Sequence, residues 1–325
     1  SPDNPYPNPN PNPNPKPNPN PNPNASAMRI ASRLPRRLSL TPTRNLAPTR
    51  NYAALPAFEE LRVETRPGGV LTVELRRPER LNALSETMGE EIITLIDAVS
   101  ADAAAPEVRA LVFMGSECDK FRGGQRCFST GRDLIRSAEH KNEQERQYYM
   151  SVALESVLAV KRAPLPTVAA ISGAAFGWGL ELACACDLRY THADATLCFP
   201  ETALGIFPGA AGTAMLPQLI GPTAAKEMIF TAKRFKGSEV VGLGLVNGVV
   251  EDPVAEALGA ADAIAANAPL GVRGAKTVIE ATANGGWAAG LELSRLLRPK
   301  LTDTDDHREA LKAFAEKRAP HFQGK

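Results

Sequence analysis

Apolar and polar residues alternate along the chain in short runs, and the period of each run predicts a strand or a helix. Leu61–Arg66 and Val70–Leu75 alternate with a period of two on either side of the sequence Pro-Gly-Gly, which predicts a β-hairpin. Residues 85–99 repeat apolar side chains at helical spacing, which predicts an amphipathic helix. Its buried side is expected to carry Ile92, Ile93, Leu95, Ile96 and Val99.

The middle of the chain continues this alternation. Further strands and helices are predicted over residues 110–114, 142–160, Thr167–Ile171 and 177–187. Strands that alternate with helices are typical of an α/β domain. Beyond residue 253 the chain is largely helical and rich in alanine. We therefore divide the body of the protein into a core over residues 53–252 and a C-terminal helical region over residues 253–325.

Composition narrows the class of protein. The 325 residues contain no run of 18 apolar side chains, so no transmembrane helix is expected. The five cysteines include no C-x-x-C pair, which favours free thiols in a reducing compartment, and the four scattered histidines predict no metal site. Residues 1–58 hold seven basic side chains and one acidic one, so the remainder carries a net charge of −5 within a chain of +1. An acidic body argues against nucleic acid as a partner.

Two segments at the start of the chain differ from the rest. Residues 1–27 are dominated by a proline–asparagine repeat, which has little apolar surface to bury and predicts a disordered, low-complexity segment. Residues 28–52 hold six arginines and no acidic side chain, the composition of a mitochondrial transit peptide. We therefore predict import into the mitochondrial matrix, with cleavage near Tyr52. A disordered basic tail is the alternative.

The segment over residues 174–187 is the strongest candidate for chemistry. A glycine-rich turn at residues 177–179 opens a helix, and such a turn presents backbone N–H groups that can hold a developing negative oxygen. Glu181 follows within an apolar run, where burial of a carboxylate is costly. Glu201 supplies a second carboxylate, and another glycine-rich stretch follows it at residues 205–213.

Three ordered blocks, at residues 77–84, 127–134 and 171–213, resemble the enoyl-CoA hydratase/isomerase (crotonase) superfamily. The tail at residues 305–318 is similar to the last helix of that family, and the likeness covers roughly residues 58–325. It implies an α/β spiral of ββα turns, with C-terminal helices that pack in a trimer or a dimer of trimers. It also implies an acyl-CoA thioester as substrate, no membrane partner, and no cofactor, because coenzyme A is part of the substrate.

The resemblance assigns four residues to catalysis. The backbone N–H groups of Arg132 and Trp178 match the two donors of the family's oxyanion hole, and Glu181 and Glu201 match its two glutamates. Two close carboxylates do not both ionise easily, so one would accept a proton from water while the other delivers a proton to carbon. The family commonly has glycine where Trp178 stands. Its ring is therefore expected to narrow the acyl pocket, and a position in the core is the alternative.

Coenzyme A binding is assigned by the same resemblance to the first two blocks and the last helix. Arg80 and Leu81 would contact coenzyme A through their backbone, and Asp133 and Leu134 would flank the path of its adenine and pantetheine. Lys317 would reach the phosphates of a coenzyme A bound to a neighbouring subunit. For Arg80 and Lys317 the alternative is a solvated surface charge.

Hydration of an enoyl-CoA is the activity that the resemblance implies, and two alternatives stay open. Isomerases of the superfamily often lack the glutamate that matches Glu181, so retention of both glutamates favours a hydratase. A non-catalytic relative that binds RNA or coenzyme A is the other alternative, although the helix over residues 85–100 carries four acidic side chains and no basic one. Residues 179–189 most resemble the methylglutaconyl-CoA hydratases of leucine breakdown. The straight-chain hydratases of fatty-acid oxidation are close behind.

Overall fold

A computed structural model describes residues 55–101, 107–139 and 142–325 of the chain. The predicted low-complexity segment (1–27) and the predicted transit peptide (28–52) lie outside these described residues. None of the helices within the described ranges is long and apolar enough to span a membrane.

The chain enters the fold through the predicted hairpin. β1 (Leu61–Arg66) and β2 (Val70–Leu75) pair in antiparallel orientation. The predicted amphipathic helix follows as α1 (Glu86–Ser100), and it begins there because the Ser85 hydroxyl accepts a backbone N–H of the first turn. Both predictions are confirmed.

The remaining strands are divided between two sheets. The further strands are β3 (Ala110–Gly115), β4 (Thr167–Ile171), β5 (Ala174–Phe176), β6 (Leu188–Thr191), β7 (Thr196–Cys198), β8 (Phe235–Lys236) and β9 (Gly248–Val249). The larger sheet has the order β1-β2-β3-β4-β6-β9, with parallel pairing from β2 onward, and the smaller one has the order β5-β7-β8. The strands alternate between these sheets from β4 to β7. The pairs β4–β5 and β6–β7 each place one strand in each sheet before the chain turns into a helix. This arrangement confirms the α/β class and the spiral of ββα turns.

Helices cover both faces of the larger sheet. The helices after α1 are α2 (Leu134–Ala138), α3 (Glu143–Arg162), α4 (Trp178–Ala185), α5 (Gly212–Phe230), α6 (Gly237–Val240), α7 (Pro253–Ala265), α8 (Pro269–Thr302) and α9 (Asp305–Glu316). The apolar sides of α1, α3 and α4 share one large core cluster with the sheet, while α7 belongs to a second cluster with other strand residues. Helix α4 therefore lies inside the protein, and the candidate site at its N-terminal end is interior as well.

The C-terminal region begins where the sequence predicts but divides into two parts. Helix α7 packs on the sheet, because its Ala257 and Ala261 form an apolar cluster with Val112 and Val168. Helices α8 and α9 follow, and α8 breaks at Gly286, where φ is +80°. These two helices expose large apolar side chains: Ile279, Trp287, Leu296, Leu311 and Phe314.

Candidate active site

The first glycine turn of the site joins β5 to α4. Gly177 has φ +46° and ψ −124°, a conformation that favours glycine, and its N–H donates to the Cys198 carbonyl at 3.0 Å. Trp178 is therefore the first residue of α4. The N–H groups of a first helical turn have no partner within the helix.

The second glycine turn precedes Asp133 and lies directly against the first. A Cβ atom on Gly131 would come within 2.5 Å of the Phe176 carbonyl oxygen, so no larger residue fits. Hydrogen bonds to Leu84 fix the chain on both sides of Arg132. The Leu84 N–H donates to the Gly131 carbonyl at 2.7 Å, and the Leu84 carbonyl accepts from the Asp133 N–H at 3.0 Å.

The contact between the two turns brings together the backbone donors that the resemblance implies. The N–H groups of Arg132 and Trp178 donate no hydrogen bond within the described part of the chain. The positive end of the α4 dipole adds a potential that favours an anion beside Trp178. Such a pair of N–H groups can hold an oxygen atom on which negative charge develops.

Glu181 lies on α4, three residues beyond Trp178, and its residue surface is only 2% exposed. Its Oε1 accepts a hydrogen bond of 2.8 Å from the Gly212 N–H, at the start of α5. Burial is the main cause that raises the pKa of this carboxyl to about 8, and the nearby charge of Glu201 adds to it against the opposing hydrogen bond from Gly212. The two carboxyls therefore resist double ionisation at neutral pH.

Glu201 begins a short 3₁₀ helix, Glu201–Leu204, directly after Pro200. Its Oε1 lies 2.6 Å from where a Cβ atom on Gly177 would stand, so the carboxyl lies against the first glycine turn. Its Oε2 is buried and has no hydrogen-bond partner among the described residues. Burial raises the pKa of this carboxyl as well. A buried carboxyl oxygen without a partner is costly, which is typical of a catalytic group.

The indole of Trp178 belongs to the packed interior, which corrects the expectation that it narrows the acyl pocket. Trp178 is 3% exposed, and its Nε1–H donates to the Ser156 hydroxyl of α3 at 3.2 Å. The ring of Tyr149 meets it edge-on at 5.6 Å. A Cβ atom on Gly89 of α1 would lie 3.1 Å from the indole. The ring fills the space between α1 and α3, because glycine at position 89 leaves room for it there.

Sequence reasoning missed a residue that anchors the second glycine turn through Asp133. Arg77 is buried, and its guanidinium forms ion pairs with Glu60 at 3.0 Å and with Asp133 at 2.9 Å. It also donates to the Ala83 carbonyl at 2.7 Å. Asn82, which is fully buried, accepts a hydrogen bond from the Arg77 N–H at 2.9 Å. The available signal was a polar Asn within the apolar sequence Leu-Asn-Ala-Leu, where an isolated polar side chain needs internal partners.

The predicted coenzyme A residues of the first block lie on the loop from Arg77 to Leu84. Arg80 is exposed, and Leu81 is half-buried with a left-handed φ of +53°. Their N–H groups already donate to the carbonyls of Arg77 and Pro78, at 3.0 and 3.2 Å. Their carbonyl oxygens accept from the N–H groups of Ala83 and Thr130, at 3.1 and 3.2 Å, so both kinds of backbone group take part in hydrogen bonds within the protein.

The predicted coenzyme A residues of the other segments differ in exposure. The Asp133 carboxylate caps α2 and pairs with Arg77; although burial acts to raise its pKa, these hydrogen bonds hold the pKa below its usual range. Its side chain is therefore engaged within the protein, and its place beside the path of coenzyme A stays a prediction. Leu134 is 58% exposed, and Lys317 is exposed at the end of α9.

Comparisons with known proteins agree with this geometry. The family model described as "Enoyl-CoA hydratase/isomerase" matches residues 65–325. The mouse protein "Enoyl-CoA hydratase domain-containing protein 2, mitochondrial" is 33% identical over 90% of this chain and 99% of its own length. The mouse "Methylglutaconyl-CoA hydratase, mitochondrial" is 32% identical over 86% and 89%.

A solved structure agrees as well. The crystal structure of an enoyl-CoA hydratase from Bacillus anthracis superposes with a TM-score of 0.76 at 33% identity, and the match covers 82% of this chain and all of that one. The match of the family model and the identity to these relatives extend over the blocks that carry the two turns and both glutamates. The chain therefore belongs to the enoyl-CoA hydratase/isomerase family.

Proposed function

We propose that this protein is a hydro-lyase that adds water across the 2,3 double bond of an enoyl-CoA thioester. One observation carries the proposal: the buried Glu181 and the half-buried Glu201, which has one buried carboxyl oxygen, lie at the junction of two glycine turns whose backbone N–H groups are free to bind a ligand within the described structure. Hydration needs this combination, because water must be activated, a proton must reach the α-carbon, and the thioester oxygen becomes negative in between.

The backbone donors would act on the thioester oxygen. As water adds to the β-carbon, electron density moves to that oxygen and an enolate forms. The N–H groups of Arg132 and Trp178 would bind the enolate more strongly than the neutral carbonyl, which lowers the barrier. Removal of one such donor typically costs about 2.7–4 kcal/mol of transition-state stabilisation.

The two carboxyls would handle the protons. The pKa of each is raised, chiefly by burial, so the pair keeps one proton at neutral pH. The ionised carboxyl would take a proton from water, and the protonated one would deliver a proton to the α-carbon. We propose that no resident cofactor takes part, since coenzyme A arrives as part of the substrate. The described residues contain no cluster of side chains that could hold a metal ion.

Coenzyme A would lie along the loop that carries Arg80 and Leu81 and beside the exposed Leu134. Lys317 would contact the phosphates of a coenzyme A bound to a neighbouring subunit. This part of the proposal requires a homo-oligomer, a trimer or a dimer of trimers built through α8 and α9. The large exposed apolar side chains of these helices support it, because a monomer rarely leaves such residues clustered in water.

The proposed compartment is the mitochondrial matrix, and the proposed substrates are 3-methylglutaconyl-CoA in leucine breakdown or straight-chain enoyl-CoA in fatty-acid oxidation. The arginine-rich, acid-free segment over residues 28–52 supports import. The mouse relatives whose names include "mitochondrial" support it as well.

A steady-state comparison tests the proposed function. Purified protein is given crotonyl-CoA and 3-methylglutaconyl-CoA, and loss of the conjugated double bond is followed by absorbance while the 3-hydroxy product is identified by mass spectrometry. We expect saturable hydration of at least one of the two. A protein that shifts the double bond of a 3-enoyl-CoA without hydrating any 2-enoyl-CoA would instead be an isomerase.

A further inference from the structure

The side chain of Arg132 has no role in the proposed chemistry so far, yet its position is well defined. Its guanidinium carbon lies 4.3 Å from the centre of the Tyr149 ring. Tyr149 is almost fully buried, and its hydroxyl donates to the Leu84 carbonyl at 3.3 Å. The same ring packs edge-on against Trp178. One rigid aromatic residue thus contacts the side chains of both residues that supply the proposed oxyanion donors.

The charge of this guanidinium is not neutralised within the described residues. Arg132 forms no ion pair there, and its Nε is buried without a hydrogen-bond partner. Two acidic side chains near the Tyr149 ring are already paired, Asp133 with Arg77 at 2.9 Å and Glu86 with Arg136 at 3.3 Å. The Tyr149 ring and a side-chain hydrogen bond between Tyr149 and Arg132 compensate only part of the cost of burying a cation, because a guanidinium has five N–H donors. The guanidinium therefore keeps donor capacity for an anion.

The location of Arg132 limits what that anion can be. Its own backbone N–H is placed to bind the thioester oxygen, so its guanidinium lies within one side-chain length of the thioester, over the Tyr149 ring. A planar guanidinium binds a carboxylate through two parallel hydrogen bonds. We propose that the Arg132 guanidinium binds a carboxylate on the acyl chain and so selects short dicarboxylic enoyl-CoA thioesters over hydrocarbon ones. This inference rests on the proposed function and adds the substrate class to it.

The guanidinium would favour a carboxylated acyl chain and disfavour a purely apolar one. A carboxylated acyl chain gains charge-assisted hydrogen bonds in a partly desolvated site, where they are stronger than in water. A purely apolar chain leaves the guanidinium without a partner, and it buries the cation further from water. The gain for a carboxylated chain and the penalty for an apolar chain both change the ratio of kcat/KM between the two substrates. A change in oxyanion stabilisation would alter kcat/KM for both substrates by the same factor and leave this ratio unchanged.

Glutaconyl-CoA and crotonyl-CoA form the matched pair that tests this, because they share the reacting double bond and differ in a terminal carboxylate. We expect the wild-type protein to favour glutaconyl-CoA by about 10- to 100-fold in kcat/KM. Arg132→Met should remove most of this preference, and Arg132→Lys should retain part of it. Arg136→Met, which removes a neighbouring arginine that is paired with Glu86, is the control and should leave the ratio unchanged.

A binding measurement separates this inference from the proposed function. Glutaryl-CoA and butyryl-CoA cannot be hydrated, and their dissociation constants are compared by calorimetry on the folded variants. We expect the wild-type protein to bind glutaryl-CoA about 10-fold or more tightly, with the difference lost in Arg132→Met. Equal binding of the two by the wild-type protein, or an equal loss for both in Arg132→Met, would overturn the inference even if crotonyl-CoA is hydrated. Failure to hydrate any enoyl-CoA would overturn the proposed function alone.

Discussion

The surroundings of the two carboxyls differ, because Glu181 is buried and Glu201 is half-buried. Glu181 sits on a regular helix, and the Gly212 N–H fixes one of its oxygens at 2.8 Å. Glu201 starts a 3₁₀ helix of only four residues and lies against the glycine turn at Gly177, with one oxygen that has no partner among the described residues. The Glu181 carboxyl is held by a hydrogen bond from another helix, whereas the Glu201 carboxyl has only a hydrogen bond from its own backbone and its contact with the glycine turn.

This difference shows how one site can keep two carboxyls chemically distinct. The bond from Gly212 favours the ionised form of Glu181, whereas burial and the charge of Glu201 favour the neutral form. For Glu201, burial dominates. Glu181 is therefore the more constrained of the two carboxyls, and Glu201 is the less constrained. Proton transfer to and from a ligand requires both carboxyls to face that ligand.

The largest expected effect is the loss of either carboxyl. Glu181→Gln and Glu201→Gln should each lower kcat for crotonyl-CoA hydration by about 10²–10⁴-fold, because each removes an acid–base group while the amide keeps the shape. Binding of butyryl-CoA, measured by calorimetry, should change little. If Glu181→Gln still shifts the double bond of an enoyl-CoA while Glu201→Gln does not, the protein would instead be an enoyl-CoA isomerase.

Two glycines allow each carboxyl to be displaced separately. In Gly212→Ala the new Cβ would lie 2.7 Å from the Glu181 Cγ, and in Gly177→Ala it would lie 2.6 Å from the Glu201 Oε1. We expect a fall in kcat of about 100-fold for each, because a shift of about 1 Å misplaces a catalytic group. Gly259→Ala and Gly205→Ala are matched controls, since a Cβ there meets no atom within 4 Å and Gly205 shares the positive φ. Equal losses in the controls would mean that backbone strain, and not displacement of the carboxyls, lowers the rate.

Glu181 should also lower stability at neutral pH. Its pKa of about 8 lies above its ordinary value, so the folded protein binds a proton that the unfolded chain releases, and the free energy of unfolding falls as pH rises toward 8. Glu181→Gln removes this dependence and keeps an acceptor for the Gly212 N–H. We expect the variant to be more stable by roughly 1–3 kcal/mol at pH 8, and by much less at pH 5, in urea unfolding. A variant that is less stable at both pH values would contradict the raised pKa.

The smallest expected effect is the pH dependence of the wild-type rate. Below pH 8 the carboxyl pair keeps a proton for the α-carbon, and above it both carboxyls ionise. The value of kcat/KM for crotonyl-CoA should therefore fall above about pH 8, by about tenfold per pH unit at most. A profile that stays flat to pH 10 would show that the proton comes from another group.

The sequence predicted most helices and strands of the fold well, and the contacts between distant segments less well. Strand β1 of the hairpin and helix α1 follow from periodicity, because each buries one side against the core, whereas every residue of the predicted strand over Thr167–Ile171 is buried. The predicted helix over residues 177–187 ends earlier, at Ala185, because β6 pairing begins at Leu188. Local sequence patterns predict the ends of helices poorly, because these ends depend on pairing between strands that are distant in the sequence.

Contacts between distant segments explain what the sequence did not predict. The position of the Trp178 ring depends on Gly89, 89 residues before it in the chain, and the role of Arg77 depends on Glu60 and Asp133 in two other segments. Only the fold brings these residues together. The N–H of Trp178 was predictable because it depends on one local turn, whereas its indole depends on how three helices pack.

The most direct test of the central claim is the isotope content of the product made from crotonyl-CoA in a mixture of D₂O and H₂¹⁸O. If Glu181 and Glu201 add water while the two N–H groups hold the enolate, mass spectrometry should find ¹⁸O at the β-carbon and deuterium at the α-carbon of 3-hydroxybutyryl-CoA. Both labels should be lost together in Glu181→Gln and in Glu201→Gln. Deuterium without ¹⁸O would show proton exchange or isomerisation, and the account of a hydratase would then be wrong.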